Sequence, residues 1–486
     1  MISRRSSIPR HKRGDRTALT LVASLSGLAI VALIAPATAM AHALGPTYAS
    51  RLPLAVYLAG AAATVALSFI FVLVRDVRAE RPPPDGPSWL PPAVIRVSLR
   101  ALGLLAWSWI VIQGILGGGG DGAVAPLFLW VYGWVGVAML SVFVGPVWHY
   151  LDPFSTLHDL GAAFVRRLGI TPWETAPYPS RLGRWPAVIG FVVVVWIELV
   201  LEPGPDVLFV VLVGYTALTL AMMAQFGRDA WRANGEVFTV WFRMLGRLAA
   251  FALADEDGRV RRRGFAAGLL EPGWTMADVV IVALGVGSIL FDGLKQTQGW
   301  FDLFGQRDLL SQTAQLLGFL ALIVLAAVLV TRAVGLGATG AGLLPIAAGY
   351  LIAHYLTYLL IDGQGILVAI SDPFQRGWDL FGTAFHEPTG DWLPPGLVWT
   401  LQLAAVVGGH MLGAWGGHVV ATLEAEEGES PRALTLRQVP LAVVMVALTT
   451  LTLWSLGQAI VVVPPGTEAA ADEVQALLQA GTAIRG

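Results

Sequence analysis

Apolar residues fall in long blocks along this chain instead of alternating with polar ones. Ten blocks approach or exceed the roughly 20 residues that a bilayer core requires. They lie near 52–74, 98–117, 124–147, 185–201, 206–225, 276–292, 313–331, 343–361, 395–421 and 439–462. Each predicts a transmembrane helix, because lipid offers no partner for a free backbone amide. A further apolar block, ALTLVASLSGLAIVALIAPATAMA, follows six Lys or Arg within residues 1–17 and ends in Ala39-Met40-Ala41. That is the pattern of a secretory signal peptide cut after Ala41. An uncleaved anchor is the rival and leaves the later topology unchanged. The expected organisation is a signal peptide at 1–41, a first membrane half at 42–225, a linker at 226–275, a second membrane half at 276–462 and a tail at 463–486.

Two features between the spans are patterned as helices. In GEVFTVWFRMLGRLAAFAL (235–253), Phe238, Trp241, Phe242, Leu245, Leu248 and Ala249 share one face, with Arg243 and Arg247 opposite and RVRRR following at 259–263. This is the pattern of a helix lying in the membrane interface against anionic lipid, with an amphipathic connector that binds no ligand as the plainer reading. The second feature is a repeated phrase: LDPFSTLHDL at 151–160 and SDPFQRGWDL at 371–380. Asp caps free amides and Pro fits a first helical turn, so both phrases are expected to start amphipathic helices. Five spans separate them, which places them on opposite membrane sides. Their offset of 220 residues nearly matches the 224 between spans one and six. A five-plus-five inverted repeat, the arrangement of many secondary transporters, would look like this. Helix capping alone would also account for the phrase.

Composition supports the same class. The chain is 56% hydrophobic and 13% charged, with mean hydropathy +0.67, against about 25% charged for a soluble domain. The expectation is an all-α polytopic membrane protein. It has no cysteine, which excludes disulfides, thiolate metal sites, iron–sulfur clusters and a cysteine nucleophile. Of 31 Lys and Arg, twenty fall in or near the loops at 75–97, 148–184, 226–275, 332–342 and 422–438, five in the alternate set and six before the first apolar block. By the positive-inside rule the first set is cytoplasmic, and both ends of the mature chain of this cell-membrane protein lie outside. No nucleic-acid motif is present. The expected partners are the bilayer, anionic lipid at the cytoplasmic face, and a membrane-protein subunit if the chain is part of a complex.

Ionisable residues inside spans are costly and mark candidate sites. In AHYLTYLLIDG, His354, Tyr358 and Asp362 recur at four-residue steps and share one helix face. Such a stripe could carry protons, line a substrate cavity or supply a metal ligand through His354; a hydrogen-bonded network between helices is the plainer reading. Glu198 and Asp292 lie near outer span ends, Glu198 needing a partner and Asp292 having Lys295 beside it. His410 and His418 stand among glycines and are too far apart in turn to hold one ion, so packing with a hydrogen bond to a neighbouring helix is expected. Asp372, His386 and Glu387 occupy an outer loop. Cleavage after Ala41 would make His42 the first residue, whose free amine and imidazole form a chelate suited to copper. Walker A, G-x-S-x-G, H-E-x-x-H and H-x-H sequences are all absent.

The segments AMAHALGPTYASRLPLAVYLAGAAATVALSF (39–69), LFDGLKQTQGW (290–300) and ISDPFQRGWDLFGTAF (370–385) resemble a family of bacterial integral membrane proteins known as fenitrothion hydrolases. That resemblance implies hydrolysis of a lipophilic phosphoester at the outer face. Copper or zinc would assist it, with His42, His354 or His386 as ligands and Asp362 or Asp372 as base, while Glu198, Tyr358 and Asp292 would bind substrate or pass protons. The clustered His and Asp of familiar two-metal phosphotriesterases are missing. Two other readings stand beside it: a transporter or copper-handling permease, and a non-catalytic subunit of a membrane complex.

Overall fold

A computed structural model describes residues 87–456, apart from 118–121, 171–173, 306–307 and 426–428, together with Gly60, Ala63 and Leu67. Its long helices are α1 (Ala93–Ile115), α2 (Val124–Phe143), α5 (Trp185–Leu201), α6 (Pro205–Phe226), α9 (Met276–Lys295), α11 (Leu309–Val334), α12 (Leu336–Ile361), α14 (Pro395–Leu423) and α15 (Pro431–Leu456). Between them lie α3 (Trp148–Leu151), α4 (Pro153–Arg167), α7 (Arg228–Asn234), α8 (Val237–Leu245), α10 (Gln298–Phe304) and α13 (Gly365–Ser371). All the long helices except the shorter α5 are long and apolar enough to cross a bilayer. The protein is an all-α polytopic membrane protein, and nine of the ten expected spans correspond to helices. The expected span at 52–74 (three residues apart), the signal segment, His42 and the tail at 463–486 lie outside the described residues.

Helix α9 is the axis of the bundle. Every residue from Ala277 to Asp292 is buried, whereas α1 and α11 expose Leu102, Leu105, Leu322 and Leu325 as lipid-facing helices do. A capping box starts α9: Thr275 accepts from the Asp278 amide, and the Asp278 carboxylate accepts from the Thr275 amide. Against α9 packs the pair α12 and α14, whose contact is made by glycine. A methyl group on Gly409 would lie 2.6 Å from the Pro345 carbonyl oxygen, and one on Gly413 would lie 2.3 Å from the Gly342 oxygen. Only side chains without a Cβ permit that approach, the usual basis of tight helix pairs in lipid.

One end of the bundle is rich in arginine. It carries α3, α4, α7, α8, the short 3-10 helix Ala267–Leu270 and a small antiparallel sheet in the order β1 (Ser88–Trp89), β3 (Val260–Arg262), β2 (Phe251–Leu253). The sheet is the one β element among the described residues, and the sequence pattern gave no sign of it. Here the expected interfacial helix is corrected. Helical winding covers only Val237–Leu245, and Val237 to Phe242, Met244 and Leu245 are all buried. The remainder of 235–253 turns and enters β2. Trp241 meets α9 at Gly285, where a Cβ would lie 2.4 Å from the indole. The helix is thus wedged under the spans, and its apolar face meets protein instead of lipid.

The repeated phrase also divides. Asp152 caps α4 as expected, accepting from the amides of Phe154 (2.8 Å) and Ser155 (3.2 Å). Asp372, by contrast, closes α13 and accepts from Arg376 (2.8 Å) and Gly377 (2.7 Å). With Gln375 at φ 52° and Gly377 at φ 76°, the chain after Asp372 turns instead of forming the expected helix. The same three residues therefore start a helix in one place and a loop in the other. An inverted repeat is left with the spacing of the spans as its support.

Candidate functional site

Near the end of α9 opposite the arginines, Asp292 meets the stripe on α12. Its Oδ2 accepts from His354 Nε2 at 2.9 Å and from the Tyr355 hydroxyl at 3.1 Å. Its Oδ1 accepts from Gln296 Nε2 at 3.2 Å and lies 3.7 Å from Lys295 Nζ. Four donors converge on one carboxylate that is 8% exposed. Lys295 reaches further, donating to the Leu199 carbonyl at 2.9 Å and to Glu202 at 2.7 Å.

Glu198, from α5, lies close enough to Asp292, Lys295 and the Trp134 indole to be influenced by all three. Both flanking helices depart from α geometry at this point: Leu127–Val137 of α2 and Ile197–Leu201 of α5 wind as π-helix. Wide turns of this kind recur at functional sites because they redirect side chains. Trp134 and Glu198 each lie on such a turn.

The network continues toward the middle of the membrane. Because Nε2 of His354 carries the proton donated to Asp292, Nδ1 is left on the other side of the ring. His354 also borders a void of about 10 Å³, lined as well by Ile289, Leu290, Tyr350, Thr452 and Ser455, about the size of one water molecule. The Thr452 hydroxyl is buried there beside Tyr350. Tyr350 then reaches His410 Nε2 at 3.4 Å, and His410 Nδ1 donates to the Val406 carbonyl at 2.8 Å. Two turns on, His418 donates from Nδ1 to Gln438 of α15 at 2.9 Å. Both histidines bond across or along helices, as expected of them.

Of the other candidates, Asp292 and His354 are joined directly. Tyr358 meets Tyr355 at a tilt, with ring centroids 6.2 Å apart, and feels Asp362, Glu198 and Asp292 electrostatically. Asp362 ends α12, Asp372 holds its own turn, and His386 Nε2 lies 3.0 Å from Gln364 Oε1. His354 and His386 thus have separate partners, and among the described residues no three His, Asp or Glu side chains gather as metal ligands would. Sequence reasoning missed Tyr350, although it lies one four-residue step before His354 on the same stripe. It also missed Tyr355, which no spacing rule singles out.

A second polar centre lies at the arginine-rich end. The caps of α4 and α8 are buried face to face: Asp152 is 1% and Glu236 0% exposed. Arg232 pairs with Asp152 at 3.3 Å. Glu236 accepts from the Tyr215 and Thr239 hydroxyls, both at 2.5 Å, and from two backbone amides. Burial, with the facing Asp152 second, pushes the Glu236 carboxyl above its usual range. Burial and then the Arg232 and Arg243 guanidiniums push the His149 imidazole down to about 3.

No protein-family model, curated protein or solved structure matches the chain.

Proposed function

We propose that this protein translocates protons across the membrane as the driving step of a transport cycle, with Asp292 and His354 as its proton-exchanging pair. The observation that supports this is a charge imbalance. Asp292 and Glu198 lie within the bundle together with Lys295 as the one adjacent ammonium, and Lys295 is shared with Glu202 at its exposed end. Isolated charge is expensive in a bilayer, so the pair of carboxylates is neutralised by one further cation. A proton on His354, whose Nε2 already meets Asp292 at 2.9 Å, supplies it, and its passage between His354 and Asp292 is the proposed exchange. The void beside His354, Tyr350 and His410 extend the route inward. On this reading the arginine-rich end is cytoplasmic by the positive-inside rule, and the Asp292 site opens outward.

The test uses proteoliposomes loaded with a pH-sensitive dye and clamped with valinomycin and potassium. After an acid step outside, the native protein is expected to acidify the lumen faster than protein-free vesicles, and Asp292→Asn and His354→Gln are expected to abolish the difference. Flux equal to protein-free vesicles, or unchanged in Asp292→Asn, overturns the proposal. The phosphoester hydrolysis implied by the resemblance is read from the same preparation: it predicts nitrophenolate release from an aryl phosphotriester, abolished by His354→Gln.

A further inference from the structure

At the arginine-rich end, a cavity of about 210 Å³ opens between α7, α8 and the β2–β3 hairpin. Five arginines line it, Arg184, Arg232, Arg243, Arg247 and Arg263, against two glutamates. Three of the five are committed to carboxylates: Arg184 to Asp278 at 2.6 Å, Arg232 to Asp152 at 3.3 Å, and Arg263 to Glu271 at 2.9 Å. The other two are not held in the same way. Arg247 donates to the backbone carbonyls of Gly268, Glu271 and Pro272, stacks 4.1 Å above Trp274, and forms no ion pair among the described residues. Arg243 holds Glu256 alone, at 3.2 Å on the exposed rim. His149 adds a fixed donor. Its Nδ1 faces an Arg232 N–H at 3.3 Å and must accept, so the proton is on Nε2.

From this geometry we infer that the cavity is a binding site for a phosphoryl group, received by Arg243 and Arg247 with Arg232 and His149 behind. Guanidinium presents a planar fork of donors that matches phosphate oxygens two at a time. The volume admits a phosphate together with part of whatever it is attached to. Glu256 is the competing anion: it occupies Arg243 while the site is empty and must swing aside when a phosphoryl group enters. The bearer of the group is either a soluble phosphate compound or the headgroup of an anionic lipid, since both present the same oxygens.

The purified full chain separates the two sources. In detergent, inorganic phosphate is expected to raise the melting temperature more than chloride at equal ionic strength if the ligand is soluble. In nanodiscs, phosphatidylglycerol is expected to raise it relative to phosphatidylcholine if the ligand is a headgroup. Arg243→Gln should remove whichever shift is seen, and Glu256→Gln should bring it on at lower ligand concentration, because the internal competitor is gone. Both substitutions are at the rim, so both variants should fold. Chloride at equal ionic strength is the control for general screening of positive charge: a shift that chloride reproduces, in the native chain or in Glu256→Gln, does not come from the site. Absence of both shifts, or a shift that neither variant alters, overturns the inference.

Discussion

Gly408 and Gly409 are adjacent on α14, and replacing each with alanine should have opposite effects. A Cβ on Gly408 meets nothing within 4 Å, whereas one on Gly409 lies 2.6 Å from the Pro345 oxygen and 3.2 Å from Gly349 Cα on α12. Ordinary contact begins near 3.4 Å, so α12 and α14 must part by 3.4 − 2.6 = 0.8 Å. A gap of that size forfeits a quarter to a half of each dispersion contact it opens, and overpacking of this kind costs about 1–3 kcal/mol. Alanine returns up to about 1 kcal/mol in helix propensity at either site. The two variants should therefore differ by about 1–3 kcal/mol, Gly408→Ala at or above the native stability and Gly409→Ala below it. Thermal unfolding in one detergent, read as retention of a monodisperse elution peak, measures the difference. The 3.4 Å contact from Tyr350 to His410 crosses the same interface, so proton flux should fall in Gly409→Ala alone. Equal melting temperatures would refute the packing argument, since the two sites share sequence context and differ only in what faces them.

Acid should loosen the arginine-rich end. The folded His149 value, about 3, is below the ordinary 6.5, so this group's contribution is present above pH 6.5 and is lost as pH falls toward 3, at up to about 1.4 kcal/mol per unit. Melting temperature against pH should flatten over that window in His149→Gln. Glu236 has the opposite sign: its raised carboxyl favours the folded state at low pH and loses that contribution as pH climbs past the ordinary 4.5, so Glu236→Gln should gain relative stability toward neutral pH. Arg184→Gln leaves Asp278, which is 0% exposed, without its guanidinium, and should cost about 3–5 kcal/mol in unfolding assays. Adding Asp278→Asn should recover part of that loss.

The fold was legible where one physical constraint dominates. Lipid forces helices, so blocks of apolar residues located nine helices, eight of them long and apolar enough to cross a bilayer, and the glycines around His410 announced the tight α12–α14 pair. Patterns that depend on what lies above the surface were not legible. Phe238, Trp241 and Phe242 have the spacing of a lipid-facing stripe, but buried protein on all sides satisfies that spacing equally well. Asp-Pro-Phe encodes a start for α4 and a turn after α13, because the amides available to the carboxylate depend on the residues downstream, and Gly377 permits a turn that Leu157 does not. At the candidate site the four-residue stripe on α12 and the lone Asp292 could each be found, while their meeting required the packing of α9 on α12. The arginine cavity is assembled from 141–271 and has no local signature at all.

The two polar centres differ in a way that bears on which of them does work. At the arginine-rich end most enclosed carboxylates have guanidinium partners: buried Asp152 with Arg232, buried Asp278 with Arg184, and half-buried Glu271 with Arg261 and Arg263. Such pairs stabilise a conformation and need nothing further. At the other end of α9 two carboxylates share one ammonium, and charge balance there depends on something that can come and go. The contrast makes a distinguishing expectation. Neutralising a partner in the first group should lower the melting temperature and leave the pH dependence of flux intact. Asp292→Asn removes a buried negative charge that lacks a full counter-charge, so it should be tolerated in folding, or even raise the melting temperature, while it abolishes flux. A variant that is well folded and inactive would separate the two roles, whereas loss of folding in Asp292→Asn would mean that the Asp292–His354 pair is structural and that the route for protons lies elsewhere.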